Sequence, residues 1–210
     1  MENGRGRSGA ATALLVVDLQ NGFCHPEGSF ARLGADVSMC RAAVARCVEL
    51  VDDARRARVP VVWVRKIHAL DHSDAGLLRQ RMPGLREAGG LVRGTWDAHI
   101  VDELGPHEDE LVIDKQRFSA FHGSGLDELL RSRGIDRLVV CGVTTDVCVD
   151  STVRDASQYD YSTVVVSDAT GALSRERHRS ALNTLGTVFA DVMTAREARD
   201  ACFGPPSGGI

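Results

Sequence analysis

The sequence predicts an α/β protein: a three-layer α/β/α arrangement around a six-stranded, mostly parallel sheet, Rossmann-like in outline. Two observations predict it. Segments of strand character alternate with segments of helical period along the chain, as in sheets built from βαβ units. The strands are also apolar end to end rather than at every second residue, the mark of strands covered on both faces. With 210 residues the chain is long enough for one such domain with a well-buried core.

The first strand is ATALLVVDLQ (11–20), an apolar run closed by Asp18. Residues 35–58 have helical period, with Val37, Cys40, Val44, Cys47, Val48 and Val51 on one side. VPVVWVRK (59–66) is the second strand, and Trp63, in mid-strand, belongs to the core. Residues 67–109, rich in Gly, Arg and His, are expected to hold surface loops and a short helix near 97–104. DELVIDK (109–115) is the third strand, closed by Lys115. A helix over 123–134 stops at Gly134. DRLVVCGV (136–143) is the fourth strand, followed by a helix over 146–159. STVVVSDA (162–169) is the fifth strand, and the helix at 174–186 takes Ser174 as its N-cap. TVFADVMT (187–194) is the sixth strand, with a last helix from about Ala195. The domain is thus expected over 11–201, between disordered tails at 1–10 and 202–210 that are polar or rich in Gly and Pro.

Composition removes several classes of function. Hydrophobic residues make up 43% and charged residues 26%, ordinary for a soluble globular chain. Net charge is −4 with no basic stripe, so the footprint of a nucleic-acid binder is missing. No run approaches the roughly 18 apolar residues of a membrane span. The N-terminus MENGRGRSGA carries no apolar signal core, which points to the cytoplasm. Six cysteines without a CxxC pair are expected to be reduced there. Cys24, Cys40, Cys47, Cys141 and Cys202 read as small buried hydrophobes. A dinucleotide-binding loop is absent: DLQNGF follows the first strand where G-x-G-x-x-G is needed.

In open parallel sheets a ligand binds beyond the carboxyl ends of the strands. Asp18 closes strand one, Lys115 closes strand three, and Cys148 follows strand four in CGVTTDVCVDSTVRDA (141–156). Thr144 or Thr145 can cap the helix there, placing Cys148 in its first turn, where free N–H groups and the helix dipole favour an anion. Such a setting lowers a thiol pKa from about 8.5 toward neutral. Asp18 is then the candidate proton acceptor, Lys115 the cation that steadies thiolate and carboxylate, and the backbone N–H groups of 143–148 an oxyanion hole. Taken singly, Cys148 also fits a packed small residue, Asp18 a turn-former and Lys115 a solvated surface charge. Their joint position at strand ends is what points to chemistry.

Three stretches, LLVVDLQNGFC, the run from VIDKQRFSAF to STVRDA, and VVVSDAT, resemble the isochorismatase-like cysteine hydrolase superfamily, in the right order and over about residues 11–199. The resemblance implies the isochorismatase-like hydrolase fold, a triad of Asp18, Lys115 and Cys148, and a non-proline cis peptide at Val143–Thr144 that turns the N–H groups of Thr144 and Cys148 toward the oxyanion. GTWDAHIVDELGP (94–106) with DKQRFSAF is most similar to the branch that cleaves ureido and carbamoyl compounds, whose familiar members are N-carbamoylsarcosine and ureidoacrylate amidohydrolases. Members acting on isochorismate carry Asp where this chain has Cys148, which implies C–N hydrolysis through a thioester or thiocarbamate. The nicotinamidase branch binds a metal through Asp-x-His and a further His. This chain has RKIHALDHSD, in which His68 and His72 share a helical spacing but Lys66 replaces the Asp, so no metal and no cofactor are expected. Substrate contacts are sought at Phe23, His68, Arg93, Trp96 and Arg117. Phe23 alternatively packs in the core, Arg93 alternatively lies on the surface, and His68, His72 and Asp74 alternatively serve as loop residues.

These readings converge on a cysteine-dependent hydrolase of a small-molecule amide, ureido or carbamoyl compound, acting as a homo-oligomer, dimer or tetramer. The rivals are a nicotinamidase-like or lactam hydrolase on the same triad, and a non-catalytic small-molecule-binding protein of the same fold.

Overall fold

Six runs of aliphatic and β-branched residues pair into one sheet: β1 (Ala11–Val17), β2 (Val61–Lys66), β3 (Leu111–Lys115), β4 (Ile135–Val143), β5 (Ser162–Gly171) and β6 (Asp191–Met193). The computed structural model describes residues 11–204. The tail expected at 1–10, and residues 205–210 of the other, lie outside the described residues. All five pairings are parallel, in the order β3-β2-β1-β4-β5-β6. Parallel neighbours need crossovers. The chain supplies α1 (Asn21–Cys24), α2 (Ser29–Arg32) and α3 (Ser38–Arg56) after β1, and α4 (Leu78–Arg81) and α5 (Pro83–Glu87) after β2. It then supplies α6 (Leu126–Ser132), α7 (Asp150–Gln158), α8 (Arg175–Val188) and α9 (Ala195–Cys202) after β3, β4, β5 and β6 respectively.

The period of two along each strand divides the core into two halves. Leu14, Val16, Trp63, Val139 and Cys141 pack with Cys40, Val44 and Cys47 of α3 and Ala198 of α9. Ala13, Leu15, Val17, Val62, Val64 and Val140 pack with Leu126 and Leu130 of α6, Val153 of α7 and Leu185 of α8. These are the three expected layers. The last helix runs to Cys202 and Phe203 is buried in the first half-core, so the domain extends past the expected end at 201.

Two expectations differ from the structure. The helix expected near 97–104 is a single 3₁₀ turn, Trp96–Ala98. Buried Asp97 is the reason: Oδ1 accepts from the Ser29 N–H, and Oδ2 accepts from the Ser29 hydroxyl and the Leu91 N–H. A side chain that recruits backbone donors this way competes with a helix. The sixth strand is also shorter than 187–194, because Thr187 and Val188 continue α8. Ser174 does cap that helix, accepting from the Arg177 N–H.

The strand order reverses between β1 and β4, where a cleft is expected. Gly142 makes that junction possible. Its φ is +114°, and a Cβ there would lie 2.0 Å from the Val17 carbonyl oxygen on the paired strand. Gly142→Ala is therefore expected to destabilise the fold by about 3 kcal/mol or more, read as a lowered urea midpoint in equilibrium unfolding.

Candidate active site

β1 delivers Asp18 one residue beyond its end. The backbone there turns into the left-handed region, with φ 53°, while the Asp18 N–H still donates to the Val64 carbonyl at 2.9 Å. A non-glycine residue in this region is uncommon and is held by its surroundings. β3 delivers Lys115 as its last residue. Strand β2 lies between, and Lys66, its last residue, is the register partner of Lys115. Gln20 fixes the end of β2: its Oε1 accepts from the Lys66 N–H at 2.8 Å, and its Nε2 donates to the Lys66 and Ala98 carbonyls.

β4 ends in a cis peptide at Val143–Thr144. The chain then makes a π turn, Thr145–Val149, before α7 begins, and Cys148 sits in that turn. Single π turns are frequent at functional sites. The expected cap is not formed by a side chain. Thr144 has the extended backbone of a cap but makes no side-chain cap bond, and the Thr145 hydroxyl lies 2.9 Å from Nδ1 of His178. The Val147 and Val149 N–H groups both return to the Thr144 carbonyl.

The structure brings the three strand-end residues together. Lys115 Nζ donates to Asp18 Oδ2 at 2.7 Å and to the Arg117 carbonyl at 3.1 Å. Both side chains of this ion pair are fully buried. Asp18 Oδ1 is buried without a nitrogen or oxygen partner, and the thiol of Cys148 is the neighbouring proton donor. Burial alone would lower Lys115, but Asp18 and Cys148 beside it hold its pKa above the usual lysine value.

Cys148 corrects an expectation. Its thiol is not acidified: burial, aided by the Asp18 charge, pushes its pKa up to about 11 against the pull of Lys115 and Lys66. Position at a helix start favours the thiolate, yet the loss of water around a buried sulfur outweighs it. The resting group is a thiol.

Lys66 is also buried. Its ammonium stands 4.3 Å over the Phe118 ring, and burial lowers its pKa. It connects the buried group to a cleft of about 350 Å³ lined by Lys66, Leu77, Leu78, Gln116, Arg117 and Phe118 among others. Of the five substrate contacts sought in the sequence, Arg117 is on this cleft, where its guanidinium donates to the Asp74 carbonyl at 2.6 Å.

The other four have different places. Phe23 is buried and stacks on Phe30 with ring centroids 4.5 Å apart. Arg93 is exposed and paired with Asp114 at 2.6 Å. Trp96 is half-exposed, edge-on to His25 at 4.9 Å. His68 is fully buried, with Nδ1 3.3 Å from Asp74. Burial and then the Lys66 charge push its pKa down to about 4, so the ring is neutral. His72 gives Nε2 to the Gly90 carbonyl at 2.8 Å and sits in a turn with φ 53°, so the helical spacing with His68 is coincidental. Among the described residues no three His, Cys, Asp or Glu are grouped to hold a metal ion.

The chain is similar to known proteins over most of its length. The isochorismatase domain model matches residues 12–197. A ureidoacrylate amidohydrolase, RutB of Azorhizobium caulinodans, is 34% identical, over 90% of this chain and 89% of its own length. The crystal structure of a cysteine hydrolase from Pseudomonas syringae pv. phaseolicola superposes with a TM-score of 0.82 at 32% identity, covering 90% of this chain and 91% of the other. That of N-carbamoylsarcosine amidase from Thermoplasma acidophilum does so with a TM-score of 0.72 at 28% identity, covering 88% and 96%. The chain belongs to the isochorismatase family and is an amidohydrolase of its ureidoacrylate and N-carbamoylsarcosine amidohydrolase branch.

Proposed function

We propose that this amidohydrolase is cysteine-dependent and cleaves a C–N bond of a small amide, ureido or carbamoyl compound through a covalent acyl-enzyme on Cys148. The observation that carries the reading is the buried Lys115–Asp18 ion pair with Asp18 Oδ1 left open beside the thiol. Because the thiol is protonated at rest, attack and proton transfer go together. As Sγ bonds to the carbonyl carbon, its proton passes to Asp18, and the carbonyl electron pair moves onto oxygen. The N–H groups of Thr144 and Cys148 are the proposed donors to that oxyanion, whose preorganised binding is the largest single aid to such a step. Collapse expels the nitrogen, which takes the proton from Asp18. Water then gives a proton to Asp18 and attacks the acyl carbon, and Cys148 regains its proton as it leaves.

Lys115 has two tasks in this scheme. It orients Asp18 through the 2.7 Å bond, and its charge opposes the rise in energy of the developing thiolate. The names of the relatives support ureido and carbamoyl compounds as the first candidate substrates. A panel of ureides, N-carbamoyl amino acids, primary amides and lactams, assayed for ammonia or amine release, tests this. Turnover of a ureido or carbamoyl compound that persists after dialysis against a chelator is the expected result. Activity confined to nicotinamide or lactams, or lost on chelation and restored by zinc, would contradict it.

A further inference from the structure

Lys66 is a buried cation with no assigned task. Its ammonium stands 4.3 Å over the Phe118 ring, at the cleft that Phe118 and Arg117 also line. Burying an ammonium is costly unless neighbouring charge compensates it. Its direction follows from the sheet. Val62 and Val64, two and four residues before it on β2, belong to the half-core that contains Cys148 and Val149, and so do Leu111 and Ile113 before Lys115. Strand alternation therefore sends both lysines to the Cys148 side of the sheet. The order β3-β2-β1-β4 puts Lys66 at the end of the strand that lies between those delivering Lys115 and Asp18. The charged and titratable groups that face it are Cys148, Lys115, Asp18 and Arg117, with neutral His68 two residues on.

We propose that Lys66 is a second positioning cation for Cys148. Lys66 supplies positive charge that helps hold the sulfur's negative charge while Asp18 carries the proton. The two lysines divide the work. Lys115 is shared between Asp18 and the sulfur, and loses its ion partner when Asp18 takes the thiol proton, whereas Lys66 adds a second positive charge on the sulfur. Burial first, and then the neighbouring Lys115 charge, lower its pKa, as befits an ammonium held dry beside another cation. The inference rests on Cys148 as the nucleophile and asks which groups make it one.

The test uses Lys66→Met, Lys66→Gln and Lys66→Arg in the full chain, each checked for folding by thermal unfolding. Two readouts follow the sulfur: the iodoacetamide labelling rate of Cys148 at a fixed pH near 8, and thiolate absorbance across a pH titration, which needs no reagent to reach it. The neutral variants are expected to label about tenfold more slowly and to lose about tenfold in kcat, with KM changed much less, because one pKa unit is a tenfold change in thiolate fraction. Lys66→Arg keeps the charge and is expected to stay within about threefold of the native protein on both. Should Lys66→Met not fold, the Gln and Arg pair decides the matter. Unchanged labelling and titration in the neutral variants, or a raised KM with kcat preserved, would overturn the proposal and make Lys66 a binding residue. If alkylation of Cys148 in the native protein left activity intact, the nucleophile itself would be wrong, and that outcome is distinct from either.

Discussion

Cys148→Ala and Cys148→Ser are expected to lose about 10⁵-fold or more in kcat while keeping the fold, since removing a nucleophile from an acyl-transfer site costs on that order. The fold should survive because Cys148 contributes a small side chain at the edge of a half-core built mainly from aliphatics such as Leu15, Val17, Val149 and Val153. Serine is no substitute here. Its hydroxyl is a far weaker acid than a thiol, and Asp18 and Lys115 form no histidine-like base to deprotonate it. Cys141→Ser is the control. Cys141 lies on the opposite half-core, beside Cys47, so a hydroxyl there should cost about 1–3 kcal/mol in stability and leave the chemistry in place. Steady-state rates with thermal unfolding on the same samples check both statements. Near-native turnover in either Cys148 variant would remove the nucleophile from the account.

Lys115→Met is expected to damage stability and chemistry together. It leaves Asp18 as an unpaired carboxylate in a fully buried place, and breaking a buried pair from one side costs about 3–5 kcal/mol. In the folded fraction kcat should fall by about 10³-fold or more, because Asp18 loses its orienting bond and the thiolate loses a cation, and Cys148 should label more slowly at any fixed pH. Lys115→Arg guards against a chain that fails to fold. The native protein carries the matching signature. Lys115 and Cys148 both titrate higher when folded than unfolded. Their contribution is fully present below the unfolded values, 9.0 for the thiol and 10.5 for the amine, and is lost as pH rises through the folded ones. Denaturant midpoints should therefore be flat near neutrality and fall at alkaline pH. Native labelling of Cys148 in Lys115→Met would show that Lys115 is not the partner.

Much of this was legible in the sequence, and the reason is that apolar strands and strand ends are local. Strands β1 to β5 each announce themselves by an apolar run, whereas β6 is only Asp191–Met193 and part of its expected span continues α8. Asp18, Lys115 and Cys148 stand out because each interrupts or follows such a run where parallel sheets open toward ligands. Lys66 obeys the same rule at the end of VVWVRK, yet its chemistry is hidden there. Only the register with Lys115, and the parity shared with Val62 and Val64, show that it points toward Cys148. The direction of the thiol pKa is hidden for a related reason. A helix start is visible in one dimension, but burial depends on chain segments far apart, here β1, β3 and the turn after β4. The loop at 67–109 was the least legible. Asp97 anchors it through Ser29, 68 residues away, and Arg93 and Trp96 are turned outward by Asp114 and His25, contacts that no periodicity records.

The most direct measurement is intact-protein mass spectrometry of the enzyme during turnover of a ureido or carbamoyl substrate, quenched rapidly in acid. The account predicts a transient mass gain equal to the acyl part of the substrate, mapped by peptide digestion to Cys148 and absent from Cys148→Ser. A protein that turns over substrate with no adduct at any quench time, even with Asp18→Asn used to slow the second half-reaction, or an adduct on any other residue, would contradict it.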